Sequence, residues 1–128
     1  MIQRSLLMVL ASIASITIAC AQQYKNVSPK EAKAMIDKGN IVLVDVRTPQ
    51  EWNSGHLAGA VLVDFYDANF ETNIKKVAKD KKVVVYCARG RRSASAAEKM
   101  MAWGWKDVSS MSGGYEAWTG ADLPTTTK

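Results

Sequence analysis

The chain has 128 residues, with 17 Lys and Arg against 12 Asp and Glu for a net charge of +5, two cysteines and a single histidine. That length holds one domain, and the basic cluster Lys75, Lys76, Lys79, Lys81 and Lys82 lacks the interleaved aromatics of a nucleic-acid surface, so the positive excess points to small anions or to plain solubility. One histidine and one available cysteine form no metal-ligand cluster, and neither a metal nor another cofactor is expected.

Residues 1–21 differ in kind from the rest. Arg4 is their only charge, an apolar run from Leu6 to Ile18 follows, and the small residues Ala19, Cys20 and Ala21 close the stretch. This is the pattern of an export signal, too short for a membrane span, which needs roughly 20 apolar residues. Two cleavage routes fit. Ala19 and Ala21 suit a signal peptidase that leaves a soluble chain beginning at Gln22. Cys20 resembles the lipid-bearing cysteine of a bacterial lipoprotein, although Thr17 stands where such signals usually carry Leu. The expectation is an exported, periplasmic protein, soluble or lipid-anchored, whose only membrane contact is a lipid at Cys20. Removing 21 residues from 128 leaves a domain of 107, residues 22–128, and losing Arg4 takes the charge to +4. Cys87 is then the one free thiol, so no disulfide staples the fold. A lone exported cysteine is a hazard unless it is buried or used.

Beyond the signal, apolar runs alternate with helical patterns. Ser28-Pro29-Lys30-Glu31 is a capping box with proline at the first helical position, opening a helix that ends at Gly39. Ile41–Val46 has the continuous apolar character of a buried strand, as do the shorter Ala60–Val63 and Val83–Tyr86. Short helices are predicted over Pro49–Asn53 and Phe70–Ala78, a longer one over Ser93–Trp103, a last strand over Val108–Met111 and a last helix over Gly114–Thr119. The segment 124–128 is expected to fray. The alternation implies an α/β domain with a mainly parallel sheet.

In such sheets ligands bind beyond the carboxyl ends of the strands, and Cys87 ends one. Tyr86-Cys87-Ala88-Arg89-Gly90-Arg91-Arg92-Ser93 places a thiol in a turn with three arginines and a glycine, leading into a helix. Gly90 lets successive backbone N–H groups converge, and the helix adds its unpaired N–H groups and positive end. A thiol so placed titrates at about 3.5–7.5 rather than near 8.5. Arg89, Arg91 and Arg92 are expected to add positive potential and contacts to an anion, Arg92 more than Arg91, and Ser93 to cap the helix or donate to the thiolate. The plain alternative is a core cysteine beside solvated arginines. The crowding of cations around the turn favours a working nucleophile.

At these residues the chain resembles the single-domain rhodaneses, thiosulfate sulfurtransferase-type proteins. Three motifs carry the likeness over about Tyr24 to Leu123: Val44-Asp45-Val46-Arg47-Thr48-Pro49-Gln50-Glu51-Trp52 running on to Gly55-His56-Leu57-Ala58-Gly59-Ala60, then Tyr86 to Ser93, then Gly113-Gly114-Tyr115-Glu116-Ala117-Trp118. The resemblance implies a three-layer fold, with about five mainly parallel strands flanked by helices. It also implies that Cys87 takes a sulfane sulfur from a small anionic donor, thiosulfate or a persulfide, and passes it to a thiol or cyanide. Residues 88–93 would bind the donor, with Asp45 and Arg47 in support, either ordering the site's face or forming a structural ion pair with Glu51 or a backbone contact. Cys87 to Arg92 is six residues, the sulfurtransferase length. Phosphatases and arsenate reductases of this fold use Cys-x5-Arg, and position 93 is Ser. Ala88 stands where many single-domain members carry arginine, with Arg89 one place later. A non-enzymatic persulfide carrier or anion-binding module is the remaining alternative. His56 is expected to order a turn rather than to pair with Cys87.

Overall fold

A computed structural model describes residues 23–128. The expected export signal and Cys20 lie outside the described residues. The elements run β1 (Lys25–Val27), α1 (Pro29–Lys38), β2 (Ile41–Asp45), α2 (Pro49–Ser54), β3 (Val61–Leu62), α3 (Phe70–Ile74), β4 (Lys82–Tyr86), α4 (Arg91–Ala102), β5 (Val108–Met111) and α5 (Gly114–Gly120). All five strands are parallel, in the order β1-β5-β4-β2-β3.

That order fixes the layers. The chain moves one way across the sheet through α1 and α2 and back through α3 and α4, and right-handed crossovers put the two sets on opposite faces. The core divides accordingly. On the α3–α4 face Phe70, Ile74, Ala96, Ala97 and Met100 pack on Val44, Val83, Val85 and Cys87. On the other face Ala32 and Trp118 pack on Leu43, Val84, Tyr86 and Met111. Successive β4 residues alternate between these clusters, which is why the strand reads as one unbroken apolar run.

The capping box at Ser28 forms as the sequence predicts, Ser28 Oγ accepting from the Glu31 amide at 3.1 Å. A second one forms at Thr48, where the Glu51 amide donates to Oγ1 at 3.3 Å and the Thr48 amide to Oε1 of Glu51 at 3.2 Å. One strand goes unpredicted, and three sequence expectations are corrected. β1 has no apolar run to reveal it, since of Lys25, Asn26 and Val27 only Val27 is buried. α3 ends at Ile74 rather than Ala78. α4 begins at Arg91, two residues before Ser93, because Gly90 takes the N-cap position in a left-handed conformation (φ 103°). Segment 124–128 is held in place: Thr126 and His56 exchange two backbone hydrogen bonds of 2.8 Å, and the Trp118 indole donates to the Pro124 carbonyl at 3.0 Å.

Candidate active site

The carboxyl ends of β2 and β4 lie side by side, Asp45 opposite Tyr86, and each strand runs directly into a turn that bears arginine. The β4 turn carries the thiol. Cys87 is buried, 1% exposed. The Gly90 amide donates to its Sγ at 3.1 Å, and Sγ lies 3.6 Å from Ser93 Oγ. Ser93, at the third position of α4, also reaches the Gly90 carbonyl at 3.2 Å and Ser110 Oγ of β5 at 2.9 Å. No side chain caps α4; the sulfur occupies the place a cap would take, at the helix's unpaired N–H groups. Burial alone would push the thiol up. The amides of Ser93, Arg89 and Gly90 and the Ser93 hydroxyl outweigh it, and the Cys87 thiol is held below its ordinary value.

The turn is latched from α5. The Tyr115 amide donates to the Cys87 carbonyl at 2.7 Å and the Glu116 amide to the Ala88 carbonyl at 3.0 Å. Those bonds need the backbones in near contact, and Gly114 permits it. A Cβ there would overlap the Cys87 carbonyl oxygen and stand 2.6 Å from the Ala88 carbonyl carbon, and its φ of 60° is itself left-handed. Ala88 thus enters the site through its carbonyl.

The arginines divide three ways. Arg89 is 82% exposed and pairs with Glu116, Nε to Oε2 at 2.8 Å. Arg91 is exposed. Arg92 is only 16% exposed and makes a two-pronged pair with Glu51, Nη1 to Oε1 at 2.8 Å and Nη2 to Oε2 at 3.0 Å, with the Tyr66 ring 5.3 Å from the guanidinium. The Arg92 bonds, working against burial and aided by Thr48, hold the Glu51 carboxyl at about 2. The Cys87 thiolate adds to what keeps Arg92 charged, after the larger effect of Glu51. The sequence reading is therefore refined: backbone amides and a serine hydroxyl, rather than bare arginine charge, are what principally stabilise the thiolate.

The β2 turn buries its charges. The Arg47 backbone and side chain donate four times to the Asp45 carboxylate at 2.8–3.1 Å, and Nη2 donates to the Gly55 carbonyl at 2.7 Å. The Tyr115 ring lies 4.3 Å from that guanidinium. Asp45 and Arg47 pair with each other, while Glu51 turns to Arg92. Both ring nitrogens of His56 are occupied, Nδ1 at 3.0 Å from the Trp52 carbonyl and Nε2 at 2.9 Å from the Lys128 carbonyl, and the ring stacks on Trp52 at 3.5 Å. It orders the turn and has no bond to Cys87. Among the described residues no group of His, Cys, Asp and Glu is arranged to hold a metal. Ser110, Tyr66 and the two amides of α5 are site components that sequence reasoning missed, and Glu51, expected beside Asp45 and Arg47, belongs instead to Arg92. The glycine pair ahead of Tyr115 was the available signal for the latch.

Comparison with known proteins matches the chain's sequence to a family and its fold to solved structures. The family model for rhodanese-like domains matches residues 28–121. The thiosulfate sulfurtransferase GlpE of Pseudomonas syringae pv. syringae is 39% identical over 97 residues, 75% of this chain and 88% of that protein. The Coxiella burnetii protein of the same name is 36% identical over 95 residues, 74% of this chain and 87% of that one. Among solved structures, a rhodanese-related protein from Thermoplasma volcanium shares the fold, with a TM-score of 0.71 at 23% identity, over 82% of this chain and all of that one.

Proposed function

The chain belongs to the rhodanese-like domain family, and from that premise we propose that it moves a sulfane sulfur from thiosulfate or a persulfide, through a persulfide on Cys87, to a thiol or cyanide. One observation carries the reading: the turn's only nucleophile ends a strand inside a cradle of amides that lowers its pKa. The Cys87 thiolate attacks the outer sulfur of thiosulfate, the S–S bond breaks, and sulfite leaves with the bonding pair, so that a thiolate and a dianion become a cysteine persulfide anion and sulfite. An acceptor thiolate or cyanide then attacks the outer persulfide sulfur and the Cys87 thiolate departs. The amides that stabilise the thiolate at the start stabilise it again as leaving group. So enclosed a sulfur suits attack on a slim terminal atom rather than on a bulky centre. The six-residue span from Cys87 to Arg92 favours this over phosphoryl chemistry.

The test is the intact mass of the reduced protein after exposure to thiosulfate. Gain of one sulfur, lost again to cyanide or thiol, is expected; a mass that stays unchanged refutes the reading, and steady-state turnover then separates an enzyme from a carrier. We also propose that the protein acts outside the cytoplasm, on the strength of the charge pattern and apolar run of residues 1–21. Fractionation of cells should find an N-terminus at Gln22 or a lipidated Cys20; full-length chain in the cytoplasm opposes it.

A further inference from the structure

The carboxylates around the Cys87 turn change what the site offers a donor. Three arginines follow the thiol within five residues, but Arg92 is held by Glu51 through two hydrogen bonds and Arg89 is paired with Glu116. Arg91 has no carboxylate within 4 Å among the described residues. Three positive charges against two negative ones leave +1, and a Cys87 thiolate cancels that. A donor therefore meets a site close to neutral.

Of the two pairs only Glu51–Arg92 is held firmly. It is partly buried, its fork is matched at both oxygens, and its carboxylate is fixed from behind by the Thr48 amide at 3.2 Å and hydroxyl at 3.1 Å. The Tyr66 ring beside the guanidinium adds a further constraint. An incoming sulfonate that sought Arg92 would have to displace a carboxylate already seated there. Arg89 and Glu116 are exposed and screened, so their pair restrains little.

We propose that Glu51 is a specificity-determining residue that, by holding Arg92, discriminates against dianionic thiosulfate and in favour of monoanionic sulfane donors, organic thiosulfonates and persulfides. This rests on the sulfur-transfer reading of Cys87. With a thiosulfonate the bookkeeping is the same as with thiosulfate: the thiolate takes the outer sulfur, and a sulfinate leaves with the bonding pair in place of sulfite. The two donors differ by one charge at the leaving group, the charge that a freed Arg92 would meet.

The experiment compares kcat/KM for thiosulfate and for methanethiosulfonate, with cyanide as acceptor, in the wild-type protein and in Glu51→Gln. Glutamine keeps its one carbonyl oxygen as a capping partner at the third position of α2, while it removes the charge and sets an NH2 donor against the second prong of Arg92, so the guanidinium is freed. The ratio of thiosulfate to thiosulfonate efficiency is expected to rise about tenfold in Glu51→Gln, mainly through KM for thiosulfate, as one unbalanced charge near a partly desolvated site permits. It should also become steeply salt-dependent, whereas the wild-type ratio changes little with ionic strength. A ratio within twofold of wild type in the folded variant overturns the proposal, as does an equal loss with both donors. If Glu51→Gln does not fold, the wild-type salt dependence decides alone, and a steep fall of thiosulfate efficiency with salt counts against a neutral site. Failure of the underlying reading looks different: wild-type protein would produce no thiocyanate from either donor.

Discussion

The turns after β2 and β4 start from the same place on adjacent strands, and both carry arginine within five residues of the strand end. Their arginines have opposite fates. Arg47 is 3% exposed and commits Nε and Nη2 to Asp45 and the Gly55 carbonyl, leaving only Nη1 without a hydrogen-bond partner among the described residues. In the β4 turn Arg89 and Arg91 face solvent, Arg92 is held at the rim by Glu51, and the buried polar work falls to backbone amides around a thiol. Position at the carboxyl end of a sheet is thus not enough to make a residue chemical. What decides is whether its polar groups are consumed within the fold or left converging on one reactive atom.

The largest effect should come from the reactive atom. Cys87→Ser keeps size and the neighbourhood of Ser93 but titrates far too high to form a persulfide. It should lose all measurable sulfur transfer while its thermal unfolding stays close to wild type. Undiminished transfer in the folded variant would remove Cys87 from the mechanism.

The β2 turn should behave in reverse. Arg47→Met leaves the Asp45 carboxylate buried without its partner, a change that costs about 3–5 kcal/mol in comparable buried pairs. Chemical denaturation should show that loss. Any activity deficit should follow the folded fraction, so that specific activity per folded molecule is largely retained. An Arg47→Met protein of native stability but poor transfer would place Arg47 in the chemistry and erase the contrast between the turns.

Between the two stands the latch. Gly114→Ala puts a Cβ against the Cys87 and Ala88 backbone at a left-handed φ, and overpacking of this kind costs about 1–3 kcal/mol. Because the strain falls on the turn itself, sulfur transfer should drop further than the folded fraction does. Gly120→Ala, where a Cβ meets nothing within 4 Å, serves as the control and should be close to neutral.

Much of this was legible in the sequence, for identifiable reasons. The unbroken apolar character of Ile41–Val46 and Val83–Tyr86 announces central parallel strands, and Ser28-Pro29 announces a helix start, because those signals are local. β1 escaped notice because an edge strand of three residues with one buried side chain carries no periodicity. The start of α4 was misplaced by two residues because serine is the better N-cap in general, whereas here glycine's left-handed φ and a sulfur do that work. The thiol and its glycine could be read from one short stretch. The partner of Arg92 could not, since Glu51 lies 41 residues away and already had a local use in its capping box. Likewise the anchoring of segment 124–128 depends on His56, a contact that only the folded chain creates.

The smallest expected effect separates the amides from the ion pair. The Cys87 thiol is lowered by the Ser93, Arg89 and Gly90 amides and the Ser93 hydroxyl against the opposing pull of burial. Ser93→Ala removes the hydroxyl, so the thiol should move up and its rate of alkylation should rise with pH along a curve displaced to higher pH. Arg92→Ala alone is an ambiguous probe, because it unmasks the Glu51 charge and raises the thiol by that route as well. Replacing both members, Glu51→Gln with Arg92→Gln, removes a neutral pair and leaves the amides intact. The alkylation curve of that double variant should lie nearer wild type than the curve of Ser93→Ala. The sign has a consequence for stability: a thiol lowered on folding contributes stability above its unfolded pKa of about 8.5, and that contribution fades as pH falls from there through the folded value. Ser93→Ala should therefore flatten the dependence of unfolding free energy on pH in that window, and the double variant should leave it largely in place. Should the double variant displace the curve more than Ser93→Ala does, the arginine field rather than the helix start would be what activates Cys87.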